Sequence, residues 1–406
     1  MEKSTKRILL VISAVIVIAA AVAAIICPKA KGKAEAQPAK YIFLMIGDGM
    51  GATQVAAAES YFSSLEGKFG GEQVTFTQFP VLGLCTTYSA NRNITDSAAS
   101  GTAIATGNKT DNGMIGIAPD GTPLQSMAYT LKEKGYRIGI MSSVPVNHAT
   151  PASFYAHSSD RGNYYDISLE IPESGFDFFA GNGILDFNGE DGNLEDIDAV
   201  LEREGYDVCY GLDELAATED RCGIVALPAS QKKKEAQNYE IDDEAAEDET
   251  LAEYLEAAIE YLGEEKPFFI MCEGGEIDWA AHDNNTMEMI EAISRFDDAV
   301  RVAYEFYLNH KDETLIVVTA DHETGGITIG ADKSSKIDWE GMVEDTEKTV
   351  DPDKEDFREI SRQNNIGWTT FGHSGAPVPV YAIGKGAEKF AGRIDNTDIY
   401  GKVVCE

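Results

Sequence analysis

Tyr41-Ile42-Phe43-Leu44-Met45-Ile46 runs straight into Gly47-Asp48-Gly49-Met50-Gly51-Ala52. Six apolar or aromatic residues without alternation predict a strand buried on both faces, the kind found in parallel sheets covered by helices. A glycine-rich turn carrying one acid follows it. Further runs of this kind recur outward from there, at Val81–Thr87, Tyr136–Ser142, Phe176–Ala180, Gly223–Leu227, Pro267–Cys272, Thr314–Thr319 and Val380–Ile383. Helical periodicities lie between them, the clearest at Leu251–Leu262 and Thr286–Leu308. Strands alternating with helices predict an α/β fold, with a mostly parallel central sheet, helices on both faces and short insertions. The charged stretch Gln231–Glu249 reads as a solvated loop and Asp332–Asn365 as a polar insertion. Neither divides the chain, so residues 37–406 are read as a single domain.

The 406-residue chain carries 33 basic and 69 acidic side chains, a formal charge of −36. Residues 1–36 hold six of the basic and two of the acidic groups, which leaves the remainder at −40. So acidic a surface repels phosphate backbones and excludes nucleic-acid binding by counterion release. Ile8–Ile26 is apolar except for Ser13 and follows Lys3, Lys6 and Arg7. As a helix it would span roughly 28 Å, close to the hydrocarbon depth of a bilayer. Residues 1–36 are therefore read as an export signal or an N-terminal membrane anchor plus spacer, with the rest extracytoplasmic, anchored or secreted. Six cysteines show no zinc-finger spacing. Cys209 and Cys222 are read as a disulfide pair, and Cys85 and Cys272 as buried thiols.

The informative pattern is where the acids fall. Asp48, Glu273 and Asp321 each follow a predicted strand, and His322 stands beside the last. In open α/β sheets, ligands bind at the carboxyl ends of strands, so these groups should converge on one crevice. A lone acid there more often caps a following helix. Three together repel one another unless a cation neutralises them or one keeps a proton. Asp278 and His282 are spaced i, i+4, which places both on one face of a helical turn as two ligands for one ion. His373 lies in the turn Gly372-His373-Ser374-Gly375. Carboxylate and imidazole together suit zinc better than calcium. His157 and His310 are read as core histidines.

Ser97, in Thr95-Asp96-Ser97-Ala98-Ala99, should open a small-residue helix, where free N–H groups favour an alkoxide and an incoming phosphate. An N-cap serine without chemistry is the plainer alternative. Thr150-Pro151 opens another helix, with Arg161 at or past its end as a planar fork for phosphoryl oxygens. Gly47–Ala52 also fits the dinucleotide fingerprint, which makes a NAD-dependent oxidoreductase the rival reading. Asp48 would then put a carboxylate where a pyrophosphate must approach.

Taken in order, these motifs resemble the alkaline phosphatases across roughly Tyr41 to Gly384. The resemblance rests on Gly47-Asp48-Gly49-Met50-Gly51, Thr95-Asp96-Ser97-Ala98-Ala99, His148-Ala149-Thr150-Pro151-Ala152 with Arg161, Glu273 through Asp278 with His282, Thr319-Ala320-Asp321-His322-Glu323, and Gly372-His373-Ser374-Gly375. It implies a phosphomonoester hydrolase of broad substrate range, working through phosphoserine with two Zn2+ and one Mg2+. One zinc would take Asp278, His282 and His373. The other would take Asp48, Asp321, His322 and the Ser97 oxygen. Magnesium would take Asp48, Thr150 and Glu273. Ser97 would attack phosphorus while Arg161 grips its oxygens. The enterobacterial pattern has Asp and Lys where this chain has His148 and Trp279, so the bacterial His/Trp variant is the one resembled. His148 and Trp279 are expected beside the ligands rather than among them. The resemblance also implies a homodimer.

Overall fold

The computed structural model of the protein describes residues 37–218, 223–233, 249–331, 335–349 and 353–405. The export segment, Cys222 and most of Gln231–Glu249 lie outside those residues, and so does the test of the Cys209–Cys222 pair. None of the described helices is long and apolar enough to cross a membrane. Ala39–Val404 forms one compact unit.

In chain order the strands are β1 (Tyr41–Gly47), β2 (Val81–Thr86), β3 (Arg137–Ser142), β4 (Phe178–Ala180), β5 (Asp207–Tyr210), β6 (Ile224–Leu227), β7 (Phe268–Gly274), β8 (Thr314–Thr319), β9 (Glu323–Thr324), β10 (Thr328–Ile329), β11 (Ile366–Gly367), β12 (His373–Ser374), β13 (Val378–Gly384) and β14 (Gly392–Asp395). Ten of them build one sheet in the order β14-β2-β13-β8-β1-β7-β3-β4-β6-β5. Every pairing in it is parallel except the two made by β13. The central strands β1, β7 and β8 are buried at every position, as their unbroken apolar runs predicted.

Helices cover the sheet where periodicity placed them. Leu251–Leu262 starts with a reciprocal Thr250–Glu253 capping box and buries Leu251, Tyr254, Leu255, Ala258 and Leu262. Thr286–Asn309 is capped by Asn285 and buries Ile290, Ile293, Phe296 and Val300. Cys85 and Cys272 are buried as expected, and burial pushes the Cys85 thiol up to about 12.

Two readings need correction. The edge strands β5 and β14 were not legible, because Asp207-Val208-Cys209-Tyr210 and Gly392-Arg393-Ile394-Asp395 lack the apolar run of a central strand. The polar insertion contains two helices, Trp339–Lys348 and Lys354–Gln363, capped by Asp338 and Asp353. Their buried residues are few (Trp339, Met342 and Ser361), so the apolar period was faint. The helix at Thr150 is a single turn, Ala149–Ala152, with Arg161 past its end in the following loop, as expected.

Candidate metal centre

Register places the acids together. In the parallel ladders Ile46 is level with Glu273 and with Thr319, and Glu273 is level with Ser142. The neighbouring strands β8, β1, β7 and β3 thus end at one line. Asp321 and Asp48 lie just past that line, and Glu273 on it. Thr324, whose amide donates to the Gly49 carbonyl, closes the crevice from the side.

Three groups of ligand-type atoms meet there: Asp278, His282 and His373; Asp48, Asp321 and His322; and Asp48, His148 and Glu273. Asp48 belongs to two of them. The His322 and His373 rings stack with centroids 3.6 Å apart, so the first two groups adjoin.

In the first group, hydrogen bonds fix the tautomers. His282 Nδ1 lies 2.5 Å from the Phe371 carbonyl, and His373 Nδ1 lies 2.8 Å from the Thr95 carbonyl. Carbonyls only accept, so both Nδ1 atoms carry hydrogen and both neutral rings present a bare Nε2. Those two Nε2 atoms are 3.1 Å apart, with Asp278 Oδ2 3.3 Å from one of them. Lone pairs so placed need a cation or a shared proton between them. With that shared proton in place His282 donates to Asp278. Although burial opposes ionisation of Asp278, this hydrogen bond and the surrounding imidazoles outweigh it and hold the carboxyl well below the usual carboxylate range.

Thr324 settles the second group. Its hydroxyl reaches Asp278 Oδ1 at 2.5 Å and His322 Nδ1 at 3.2 Å. One hydroxyl proton cannot serve both, and an ionised carboxylate only accepts. The proton therefore goes to Asp278, His322 donates from Nδ1, and its Nε2 is bare. That Nε2 lies 3.3 Å from Asp48 Oδ1, 3.2 Å from Asp321 Oδ2 and 3.2 Å from Ser97 Oγ. Asp48 Oδ1 and Asp321 Oδ2 are buried without a hydrogen-bond partner. Burial and the neighbouring carboxylates raise Asp48 well above its ordinary range and push Asp321 up to about 7.

In the third group, Thr150 Oγ1 lies 3.4 Å from Asp48 Oδ2, and Ser142 Oγ donates to Glu273 Oε2. Glu273 Oε1 is buried and unpartnered, and burial pushes the carboxyl up to about 8. Arg161 Nη2 is 3.2 Å from His148 Nε2. A guanidinium can only donate, and burial keeps His148 neutral by lowering it to about 3, so Nε2 accepts and Nδ1 carries the hydrogen. Nδ1, buried without a hydrogen-bond partner, thus holds an N–H rather than a lone pair, which suits a neighbour of the ion better than a ligand. Trp279 meets the His148 ring edge-on at 6.0 Å. His157 and His310 stay outside the centre, paired with Glu170 and Glu264.

Ser97 is the first residue of the helix Ser97–Thr106, but Asp96 is its cap, accepting from Ala99 N at 3.0 Å. The plainer role belongs to Asp96, which leaves the Ser97 hydroxyl for the crevice. Asp96 also receives Arg161 Nη1 at 3.2 Å and Gly113 N at 3.0 Å, which aims the guanidinium. Sequence reading missed Asp96 and Thr324. An acid just ahead of a small-residue helix was a usable signal for Asp96; nothing local marked Thr324.

The glycines of Gly47–Ala52 serve carboxylates rather than a diphosphate. A Cβ on Gly51 would lie 2.4 Å from Glu323 Cγ, and one on Gly49, at φ +72°, 2.9 Å from Asp278 Oδ1. The space that a pyrophosphate would need is already filled, which removes the oxidoreductase reading.

The unpartnered oxygens and facing imidazole lone pairs fit divalent cations. Raised carboxyls carry a stability cost that can be measured. Asp321 and Glu273 hold protons to about 7 and about 8 in the fold, against 3.8 and 4.5 ordinarily. The folded state therefore binds more protons between roughly pH 4 and 8, and metal-free stability must fall as pH rises through that window. Thermal melts of chelator-treated protein should show Tm dropping steadily from pH 5 to 9, with added divalent metal abolishing the slope. A flat metal-free Tm would contradict this account of the site.

An α/β sheet whose strand ends gather three cation sites around a helix-terminal serine and an anchored arginine defines a metal-dependent phosphoryl-transfer hydrolase. A sequence profile of the alkaline phosphatase family matches residues 39–187 and 233–405. Alkaline phosphatase 3 of Bacillus subtilis is 31% identical, over 91% of this chain and 89% of its own. The alkaline phosphatase of the Antarctic bacterium TAB5 is 32% identical with a TM-score of 0.72, covering 90% of this chain and 98% of its own. That of a psychrophilic Shewanella is 29% identical with a TM-score of 0.75, over 90% and 98%. A mutant of the TAB5 enzyme has been solved with Mg bound in its M3 site. The chain belongs to the alkaline phosphatase family, and is a metal-dependent phosphomonoester hydrolase.

Proposed function

We propose that the enzyme works through a phosphoserine on Ser97, with two Zn2+ and one Mg2+ in the three groups of ligands. The observation that carries this is the pair of bare Nε2 atoms of His282 and His373, 3.1 Å apart beside Asp278. Their N–H groups are committed to backbone carbonyls, so the facing lone pairs have a cation as their natural occupant. Asp278, His282 and His373 would hold one zinc; Asp48, Asp321, His322 and Ser97 the second; Asp48, Thr150 and Glu273 the magnesium, with His148 and Trp279 alongside. Bound ions would supply Lewis-acid charge to the attacking and leaving oxygens of an in-line displacement.

The chain's own groups do the rest. Arg161, aimed by Asp96, holds two non-bridging oxygens of the phosphoryl group. Ser97 Oγ attacks phosphorus as the ester P–O bond breaks, and the proton it gives up passes through solvent to the departing oxygen, which leaves as the alcohol. The free N–H groups of the helix behind Ser97 stabilise the developing charge. Water then displaces Ser97 from phosphorus, and inorganic phosphate leaves. Phosphoryl transfer of this kind depends on position and charge neutralisation, which these groups supply.

We also infer that residues 37–406 act as one catalytic domain, which residues 1–36 carry across the cytoplasmic membrane and either anchor or release. The basic flank and apolar run of Ile8–Ile26 support this reading. A homodimer would cover Leu82 and Leu84, two leucines that β2 leaves exposed.

Elemental analysis tests the metal assignment. His282→Ala and His373→Ala should each lose about one equivalent of zinc per chain and at least roughly 100-fold in kcat/KM, by analogy with losing a charge-stabilising group. Full zinc and near-normal rates in both variants would sink it.

A further inference from the structure

Glu323 follows the ligand pair Asp321-His322, yet belongs to none of the three groups of ligand-type atoms. It is 5% exposed, and among the described residues no lysine, arginine or histidine pairs with it. Its oxygens are nevertheless fully used. Oε1 accepts from Gln54 Nε2 at 2.6 Å and from Gly326 N at 2.9 Å, and Oε2 accepts from Ser374 Oγ. Gln54 Nε2 also reaches the Thr324 carbonyl at 2.7 Å.

Those contacts join three segments that carry ligands. Gln54 is on the helix that follows Asp48, Glu323 follows His322, and Ser374 follows His373. The backbones of the last two pair antiparallel as β9 and β12, with Thr324 opposite His373 and Glu323 opposite Ser374. A ladder of two residues is weak by itself. Gly372 and Gly375 flank it with the most freely rotating backbone available. The chain also makes room for this acid, since any Cβ on Gly51 would collide with Glu323 Cγ.

We propose that Glu323 is a positioning residue that holds His373 in place through Ser374, and so completes the cation site formed by Asp278, His282 and His373. The inference rests on the ligand assignment proposed above. It assigns Glu323 no contact with substrate or metal. Its carboxylate fixes the only short side-chain bridge between the Asp321-His322 turn and the His373 strand among the described residues.

Three variants separate clamping from general packing. Glu323→Ala removes the bridge and leaves Gln54, Gly326 and Ser374 short of an acceptor. Ser374→Ala removes the Glu323–Ser374 contact together with the hydrogen bond that Ala376 N donates to Ser374 Oγ. Glu323→Gln can restore the clamp, because its amide oxygen can accept from Gln54 and Gly326 while its NH2 donates to Ser374 Oγ. Hydrogen exchange by mass spectrometry, on metal-loaded and on chelator-treated full-length protein, reads the segment directly. Exchange across residues 371–375, a window that leaves out the Ala376 amide held by Ser374 Oγ itself, should rise at least about 10-fold in Glu323→Ala and Ser374→Ala, and stay near wild type in Glu323→Gln. The double variant should match Glu323→Ala, because the two side chains act as one unit. In the zinc-loaded protein the two alanine variants should hold one zinc roughly 10- to 100-fold more weakly, the usual effect of losing a group that orients a ligand. Their kcat should fall more than KM changes.

Unchanged exchange at 371–375 in Ser374→Ala would overturn the clamp. So would Glu323→Gln behaving like Glu323→Ala. Should Glu323→Ala fail to fold, Ser374→Ala and Glu323→Gln still decide the matter. Wild-type protein that binds no zinc would instead overturn the ligand assignment, and the exchange data would judge the clamp separately.

Discussion

Asp48→Asn should lower kcat/KM by about 10^4-fold and at the same time make the metal-free protein more stable. Asp48 is common to two of the three groups of ligand atoms, so both lose a charge together. Counting each as roughly 10^2 in rate, from the usual effect of removing a charge-stabilising group, gives the combined figure. The stability gain has the same origin. Without a cation, Asp48 is buried among Asp321, Asp278 and Glu273, and both burial and their charge drive its carboxyl up. An amide of the same shape removes that repulsion and supplies two N–H donors for neighbouring oxygens that lack partners. Opposite signs are the signature: activity falls while chelator-treated Tm at pH 8 rises. A metal-free Tm that drops in Asp48→Asn would show that Asp48 supports the fold rather than awaiting a cation.

Ser97→Ala is expected to lose at least about 10^3-fold in kcat, while the far-ultraviolet circular dichroism and most of the metal content survive. The helix start does not depend on Ser97, since Asp96 caps it and accepts from Ala99 N. Alanine is also a better helix former than serine, so Ser97–Thr106 should persist. Three carboxylate and imidazole ligands remain in the second group after the hydroxyl is gone. Residual hydrolysis by water is therefore expected, at a rate well above the uncatalysed one. A variant with wild-type kcat would exclude Ser97 as nucleophile; a variant that loses its metals and its fold together would make Ser97 structural.

How much of this was legible beforehand follows physical lines. β1, β7 and β8 could be read because a strand buried on both faces needs an apolar run, and Tyr41–Ile46, Phe268–Cys272 and Leu315–Val318 are such runs. The acids were conspicuous because charge directly after such a run needs a reason. Edge strands β5 and β14 were hidden, since a strand with one free side tolerates Asp207 or Arg393. Thr324 and Glu323 were beyond a linear reading. Thr324 matters through His322 and Asp278, which is 46 residues away, and Glu323 through Ser374, 51 residues away. Only the folded register brings those partners together. His148 shows the same limit: its place beside the centre was expected, but the proton on Nδ1 follows from the Arg161 contact.

The account turns on whether phosphorus is attacked by the protein or by water. The most direct measurement is the stereochemical course at phosphorus, using a phosphomonoester made chiral with oxygen isotopes and transfer to an acceptor alcohol such as Tris. Attack by Ser97 followed by a second displacement predicts overall retention of configuration. Inversion by the unmutated enzyme would contradict the phosphoserine route, even with every metal ligand in its assigned place.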